Sequence, residues 1–143
     1  MVNEKEARAF TGTLLAGMAS SQDELNTFRI LWALRPAEIA RLEPFITDSV
    51  GQQPTLQTAT RLDYGNKLRI ESDLPQATLL QSPQIKLFIS HMGMGGFTEG
   101  AAAKVPFLCY PSGCDQYYNT QRALEAGIGE RIVNLDDISN YAQ

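Results

Sequence analysis

Short apolar runs alternate with segments of helical periodicity through the second half of the chain, and this alternation restricts the fold more than any other feature. Runs with strand character occupy 67–72, 85–90, 105–111 and 130–135. The segments between them, PQATLLQS, GGFTEGAAAK and DQYYNTQRALEAG, have helical character, and Gly127 suits the end of the last helix. Such alternation is typical of βα units. It therefore predicts an α/β protein with a parallel sheet and helices on both faces.

The first half of the chain is less regular. Residues 4–19 carry apolar side chains at helical spacing, and the short apolar run TFRILWAL at 27–34 predicts a buried strand. Pro36 suits the first turn of a helix, which Pro44 is expected to interrupt. Residues 51–60 have no clear period, which favours a loop. At 143 residues, the chain is expected to form a single domain spanning 1–143.

Composition excludes several classes of function. The net charge of -4 is unfavourable for binding phosphate backbones, so no nucleic-acid partner is expected. There is no apolar run of membrane-spanning length, and the start MVNEKEARAF lacks the apolar region of a signal peptide. Two cysteines do not make a disulfide framework, and a single histidine makes a zinc site unfavourable. The expected location is the cytoplasm.

The stretch LFISHMGMGGFTEG at 87–100 is the candidate functional site. Its apolar run ends at His91, the only histidine, and Gly93, Gly95 and Gly96 follow before the next helix. Ligands of parallel α/β sheets bind where strands end, and the N–H groups of a helix amino terminus bind anions. Glu99 lies about one helical turn further on, where its carboxylate can accept hydrogen bonds from ribose hydroxyls. The pattern therefore predicts a nucleoside diphosphate site.

Purely structural roles for the same residues stay open on spacing alone. The stretch matches neither the P-loop nor the G-x-G-x-x-G pattern. A lone histidine at a strand end is more often structural, and a glycine cluster also serves a tight strand-to-helix turn. Glu99 is compatible with a solvated helix position, and Asp115 with a helix cap.

From Leu74 to Gln116 the chain resembles the donor-binding signature of UDP-glycosyltransferases. That signature contains aromatic-x-Pro-Gln, Phe-x-x-His-x-Gly, a later Glu, Gly-x-Pro, Pro and Asp/Glu-Gln. The corresponding segments here are LPQATLL, FISHMG, GMGGFTEG, KVP, YP and CDQ, in the same order and at the same spacing. The clearest resemblance covers 66–135, and TFRILWAL resembles more faintly a strand of the same domain.

The resemblance implies the C-terminal nucleotide-sugar-binding domain of a GT-B enzyme, a Rossmann-like domain, here truncated at both ends. Family positions that hold the nucleobase edge, diphosphate, ribose and sugar correspond in turn to Gln76, His91, Glu99 and the pair Asp115-Gln116. The residues implied to bind the nucleotide sugar are Gln76, His91, Gly93, Gly95, Gly96, Glu99, Asp115 and Gln116. No metal and no cofactor other than the UDP-sugar substrate is implied.

The chain departs from the family pattern in three ways. Asp73 occupies the position of a common aromatic residue that stacks on uracil, and a carboxylate cannot stack. Gly95 and Gly96 replace residues whose side chains donate to phosphate, so only backbone N–H groups remain there. Met94 replaces a tryptophan common in plant members.

The resemblance predicts an enzyme that transfers a hexosyl group from a UDP-sugar to a small-molecule acceptor. In the family the acceptor and the catalytic base, a histidine, belong to an N-terminal domain. With His91 assigned to phosphate, this chain has no second histidine for that role, so no catalytic residue is expected in it. An acceptor-binding domain or partner subunit would then supply it. The alternative is a non-catalytic nucleotide-sugar-binding subunit or a truncated inactive product.

The family's domain also begins with a strand that has no counterpart before the helix at 4–19. In the strand order 3-2-1-4-5-6 this strand is central, between 27–34 and 85–90. Its absence would leave backbone N–H and C=O groups of both neighbours unpaired, at about 1–3 kcal/mol each. The chain is therefore expected to need either a strand from another polypeptide or direct pairing of the two neighbours.

Overall fold

The structure is a computed structural model that describes residues 29–65 and 67–132. These residues belong to two compact units, and the chain passes from the first to the second between Leu74 and Pro75. The helices predicted at 4–19 and at the carboxyl end lie outside the described residues. The single domain and the strand supplied from elsewhere also stay predictions.

The first unit contains a four-stranded sheet and one helix in its described part. The elements are β1 (Ile30–Ala33), α1 (Pro36–Val50), β2 (Leu56–Gln57), β3 (Arg61–Asp63) and β4 (Leu68–Glu71). The strand order is β1-β4-β3-β2, and β1 pairs with β4 in parallel. The strands predicted at 27–34 and 67–72 are confirmed as β1 and β4.

The other ladders of this sheet correct the expectation of an all-parallel arrangement. β3 pairs with both β2 and β4 in antiparallel fashion, and β2 lies within 51–60, which the sequence predicted to be a loop. Only antiparallel strands can be joined by a short turn, and Gly65, with a φ of 67°, lies in the turn between β3 and β4. Strands of two and three residues are too short for an alternating pattern to be recognised.

Helix α1 corrects a second prediction, because it continues past Pro44 to Val50. Its buried residues Ile39, Leu42 and Ile46 lie on one face, before and after the proline. Pro44 itself is exposed, and so is the residue four positions before it, whose carbonyl loses its helical partner. Burial of the apolar face therefore outweighs the local cost of the proline. The helix ends at Gly51 in the left-handed conformation.

The core of the first unit lies between α1 and one face of the sheet. Along β4, Leu68 and Ile70 are buried while Arg69 is exposed, which is the alternation of a sheet with one apolar face. The opposite face carries ion pairs, among them Arg61–Asp63 at 3.0 Å. The buried core residues are Leu34, Ile39, Leu42, Ile46, Leu62, Tyr64, Leu68 and Ile70.

Ionisation of Tyr64 is expected to lower the stability of this core at alkaline pH. Its side chain is fully buried, its hydroxyl lies 2.8 Å from Thr47 Oγ1, and burial raises its pKa above the usual value. A raised pKa contributes stability below the unfolded-state pKa of about 10, and this stability is lost as pH rises through the folded-state pKa. Tyr64→Phe is expected to cost about 0.5–1.5 kcal/mol at pH 7 and to reduce the loss of stability above pH 10.

Urea unfolding at neutral and alkaline pH measures this difference. The control is Tyr118→Phe, because Tyr118 is 62% exposed and its substitution should leave the alkaline loss unchanged. An alkaline loss of equal size in the Tyr64→Phe chain and the unsubstituted chain would contradict the prediction.

The second unit follows the predicted βα alternation closely. Its described elements are α2 (Gln76–Leu80), β5 (Phe88–Ser90), α3 (Met94–Ala103), β6 (Phe107–Cys109), α4 (Gln116–Glu125) and β7 (Gly129–Arg131). The strands form a parallel sheet in the order β5-β6-β7. Each strand is shorter than predicted, and the residues from 133 onward of the last one lie outside the described part.

The core of this unit is centred on Phe107 of β6. Its ring centroid lies 5.7 Å from that of Phe88 and 5.9 Å from that of Phe97. A Cβ atom added to Gly100 would lie 2.5 Å from the Phe107 ring, so helix α3 approaches β6 closely at this glycine. This packing places the amino terminus of α3 next to the end of β5.

Candidate functional site

The turn between β5 and α3 has an unusual backbone that is held by side chains. Met92 is fully buried and has a φ of 69°, in the left-handed region that non-glycine residues rarely occupy. Its N–H donates to Ser90 Oγ at 3.0 Å, and its carbonyl accepts from Asn119 Nδ2 at 3.0 Å. The exposed His91 immediately precedes this residue, so the conformation of the turn determines the position of the His91 backbone, from which the imidazole extends.

Glycines allow close approach at the start of α3. A Cβ atom on Gly93 would lie 2.7 Å from His91 Nε2, so the imidazole packs directly against this glycine. Gly93 is the N-cap of a ten-residue helix and provides no side-chain cap. A Cβ atom on Gly95 would meet nothing within 4 Å, so space is open beside the first turn. The first N–H groups of α3 have no partner within the helix and can bind an anion.

Gln76 and Glu99 form the most direct polar contact of the site. Gln76 Nε2 donates to Glu99 Oε2 at 2.7 Å, although the residues are 23 positions apart. Gln76 Nε2 also lies 3.7 Å from the position a Cβ atom on Gly96 would take. The contact joins α2 to α3 and orients the Glu99 carboxylate. Both side chains are partly exposed and can still reach a ligand.

Asp115 and Gln116 lie at the amino terminus of α4, after β6. Asp115 is the N-cap residue, but its side chain makes no capping hydrogen bond and instead accepts from Asn119 Nδ2 at 3.2 Å. Gln116 Oε1 accepts from Ser112 N at 2.8 Å and from Ser112 Oγ at 3.0 Å. The Gln116 side-chain NH₂ group is therefore turned away from Ser112.

The structure brings the predicted residues together through chains of contacts. His91 touches Gly93, Gln76 connects Gly96 with Glu99, and Asn119 connects the turn at Met92 with Asp115. Sequence reasoning missed Asn119 and Ser90, which are 1% and 6% exposed. The available signal for Asn119 was a polar residue on the same face of α4 as the buried Ala123, four positions later.

Cys109, at the end of β6, lies below this rim in the core. Its thiol is buried, and burial raises its pKa above the usual value, although Thr120 opposes the shift through a hydrogen bond. The protonated thiol is a packing group and not a nucleophile. Across 29–65 and 67–132, no helix has the length and apolar character needed to cross a membrane.

Comparisons of the fold show a glycosyltransferase architecture. The crystal structure of the glycotransferase of kitacinnamycin superposes with a TM-score of 0.62 and 19% identity, over 98% of this chain and 30% of that protein. Arabidopsis thaliana UGT89C1 complexed with UDP superposes with a TM-score of 0.52 and 19% identity, over 94% of this chain and 30% of that one. At these identities the likeness establishes the α/β fold of GT-B glycosyltransferases.

Sequence comparison identifies the family. The protein-family model described as "UDP-glucoronosyl and UDP-glucosyl transferase" matches residues 17–140. The chain therefore belongs to this family. The putative UDP-glucuronosyltransferase ugt-60 of Caenorhabditis elegans is 36% identical over 79% of this chain and 18% of its own length. The ecdysteroid UDP-glucosyltransferase of Lacanobia oleracea granulosis virus is 36% identical over 49% of this chain and 15% of its own length. The chain thus spans less than a fifth of these relatives.

Proposed function

We propose that this chain is the donor-binding part of a UDP-glycosyltransferase and binds a UDP-sugar at the carboxyl ends of β5 and β6. The observation that carries the proposal is the Gln76–Glu99 hydrogen bond of 2.7 Å, formed beside the glycine-rich start of α3. It orients a carboxylate about one turn from an anion-binding helix terminus, which suits a ribose linked to a diphosphate. Membership of the family and the UDP complex of a structural neighbour support uridine as the nucleoside.

The diphosphate is proposed to bind at His91 and the first turn of α3. The helix supplies backbone N–H groups and the positive end of its dipole. The open space at Gly95 lets a phosphate approach the backbone, and it compensates for the donor side chains that this position and Gly96 lack. The imidazole, packed on Gly93, can donate a further hydrogen bond.

The nucleoside is proposed to bind between α2 and the middle of α3. Glu99 accepts one hydrogen bond from Gln76, and a carboxylate has further lone pairs for both ribose hydroxyls. Gln76 keeps its carbonyl oxygen and second N–H for the edge of the base. Asp73 provides no stacking surface for the base. Recognition of the base would therefore depend more on hydrogen bonds in this chain than in family members with an aromatic residue at this position.

The sugar is proposed to bind at the amino terminus of α4. Asp115 is exposed, and only one of its oxygens is engaged by Asn119. The Gln116 NH₂ group, directed away from Ser112, can donate to a sugar hydroxyl. A carboxylate and an amide together can orient a hexose for transfer, and orientation is a large part of what a transferase supplies.

The reaction is proposed to be hexosyl transfer to a small-molecule acceptor held by another domain or subunit. This chain would contribute donor orientation and would stabilise negative charge on the leaving UDP through His91 and α3. The acceptor-activating base would come from the acceptor-binding part.

The proposed location of the protein is the cytoplasm. Both Cys109 and Cys114 are free thiols, as expected in a reducing compartment.

His91→Ala tests the proposed diphosphate site. We expect about a tenfold loss of affinity for UDP and UDP-glucose, from the loss of a hydrogen bond to a charged group, and less than a twofold change for uridine. Isothermal titration of the purified chain measures all three ligands. Lys86→Ala is the control, because it removes a positive charge before β5, at the opposite end of the strand.

Equal losses for uridine and UDP in the His91→Ala chain would assign His91 a structural role. An equal loss of UDP affinity in the Lys86→Ala chain would show that the His91→Ala loss reflects overall charge and not a contact between His91 and the diphosphate. No binding of UDP-glucose, UDP or uridine by the unsubstituted chain would refute the proposed function itself.

A further inference from the structure

We infer that Asn119 is a positioning residue that couples the diphosphate-binding turn to the sugar-binding end of α4. The inference rests on the proposed function and concerns the same site. One side-chain amide group, Asn119 Nδ2, donates both to the Met92 carbonyl at 3.0 Å and to Asp115 Oδ2 at 3.2 Å. The two hydrogens of this group thus connect the residue after His91 to the carboxylate proposed to hold the sugar.

The turn needs such support because Met92 is in a conformation that non-glycine residues avoid. Its φ of 69° is unfavourable for a residue with a Cβ atom, because the Cβ atom then lies too close to a backbone carbonyl oxygen. Both of its backbone polar groups are bound by side chains, the N–H by Ser90 and the carbonyl by Asn119. Surrounding interactions that over-determine a strained residue are what allow it to persist.

Packing alone does not account for an asparagine at this position. Asn119 is 1% exposed on the buried face of α4, and its Oδ1 has no hydrogen-bond partner among the described residues. A buried polar atom without a partner costs free energy that an apolar side chain would avoid. The position therefore uses the two donors of the amide, and both donors are directed to the site.

Losing the amide would act on His91 through the backbone. The buried Met92 carbonyl would lose its partner, and the left-handed conformation would relax toward the common regions of φ and ψ. Because His91 and Gly93 flank Met92, this rotation would move the imidazole relative to the first turn of α3. Asn119 itself would touch no ligand.

The test is titration of Asn119→Ala and Asn119→Ser chains with UDP-glucose, UDP and uridine. UDP affinity is expected to fall about tenfold and uridine affinity less than twofold, because uridine does not use the turn. UDP-glucose affinity is expected to fall further than UDP affinity, since Asp115 also loses its partner. Serine, which retains one short donor, should lose less than alanine.

The matched control is Thr120→Val, which removes a buried hydroxyl from the next position of the same helix. Thr120 donates to the Gln116 carbonyl at 2.8 Å within α4 and makes no hydrogen bond to the turn. Its substitution should lower the melting temperature comparably and leave the ratio of UDP to uridine affinity unchanged. A change in that ratio equal to the one in Asn119→Ala would overturn the inference.

A double-mutant cycle separates positioning from an independent contribution. If Asn119 acts through the turn, Asn119→Ala in a His91→Ala background should cost much less UDP affinity than it does alone. Hydrogen exchange of the amides at 92–96 should be faster in Asn119→Ala and unchanged in Thr120→Val. Additive losses, or unchanged UDP binding in both Asn119 variants of a chain that does bind UDP, would overturn this inference alone. Failure of the unsubstituted chain to bind any of the ligands would overturn it together with the proposed function.

Discussion

Glu99→Ala is expected to weaken binding of UDP and UDP-glucose by about 10- to 100-fold. The variant removes hydrogen bonds between a carboxylate and the ribose hydroxyls, each worth about 1.5–3 kcal/mol. It also leaves the Gln76 amide without the acceptor that it contacts at 2.7 Å. Folding should change little, because Glu99 is only partly buried on α3.

A change in the ligand makes this test specific for the ribose. The unsubstituted chain should prefer UDP over 2′-deoxy-UDP by about tenfold, and the preference should disappear in Glu99→Ala. Glu125→Ala is the matched control, because Glu125 accepts a hydrogen bond from Gln121 at 2.9 Å in a similar Gln–Glu pair on the exposed face of α4. A preference for UDP over 2′-deoxy-UDP that persists in Glu99→Ala would contradict the assignment of Glu99 to the ribose, whatever the total loss of affinity.

Gly100→Ala is expected to destabilise the second unit by about 1–3 kcal/mol through overpacking. The new methyl group would lie 2.5 Å from Cζ and 2.7 Å from Cε1 of Phe107, and 3.0 Å from Cδ1 of Phe88. Phe107 is 2% exposed, so its ring has little room to move. Either α3 shifts away from β6 or the rings leave their preferred rotamers. A shift of α3 would also move the proposed phosphate site.

Chemical unfolding of the chain measures this loss, and Gly113→Ala is its control. A Cβ atom on Gly113 would meet nothing within 4 Å, so that substitution should change stability by less than about 0.5 kcal/mol. UDP affinity should fall in Gly100→Ala and stay constant in Gly113→Ala. An unfolding midpoint of Gly100→Ala equal to that of the control would show that α3 and β6 pack less tightly than the distances indicate.

Much of the second unit could be predicted because its signals are local. Apolar runs, the helix breaker Gly127 and the glycine cluster predicted the order of β5, α3, β6, α4 and β7 without reference to the rest of the chain. The first unit was harder. The antiparallel strands β2 and β3 are too short to show alternation, and helix α1 passes Pro44 because burial of Leu42 and Ile46 outweighs the proline. Both outcomes depend on contacts between distant segments.

The sequence alone determined the α/β class, the strand-end position of His91 and the family to which the chain belongs, because these depend on residue type and spacing along one segment. The tertiary structure decided how the segments meet. Only it shows that Gln76 binds Glu99, 23 positions away, and that Asn119 reaches back 27 positions to hold Met92 in a left-handed conformation. Such contacts leave no periodic trace in the sequence. They arise because packing around Phe107 brings α3 and α4 together, and because α2 packs against α3.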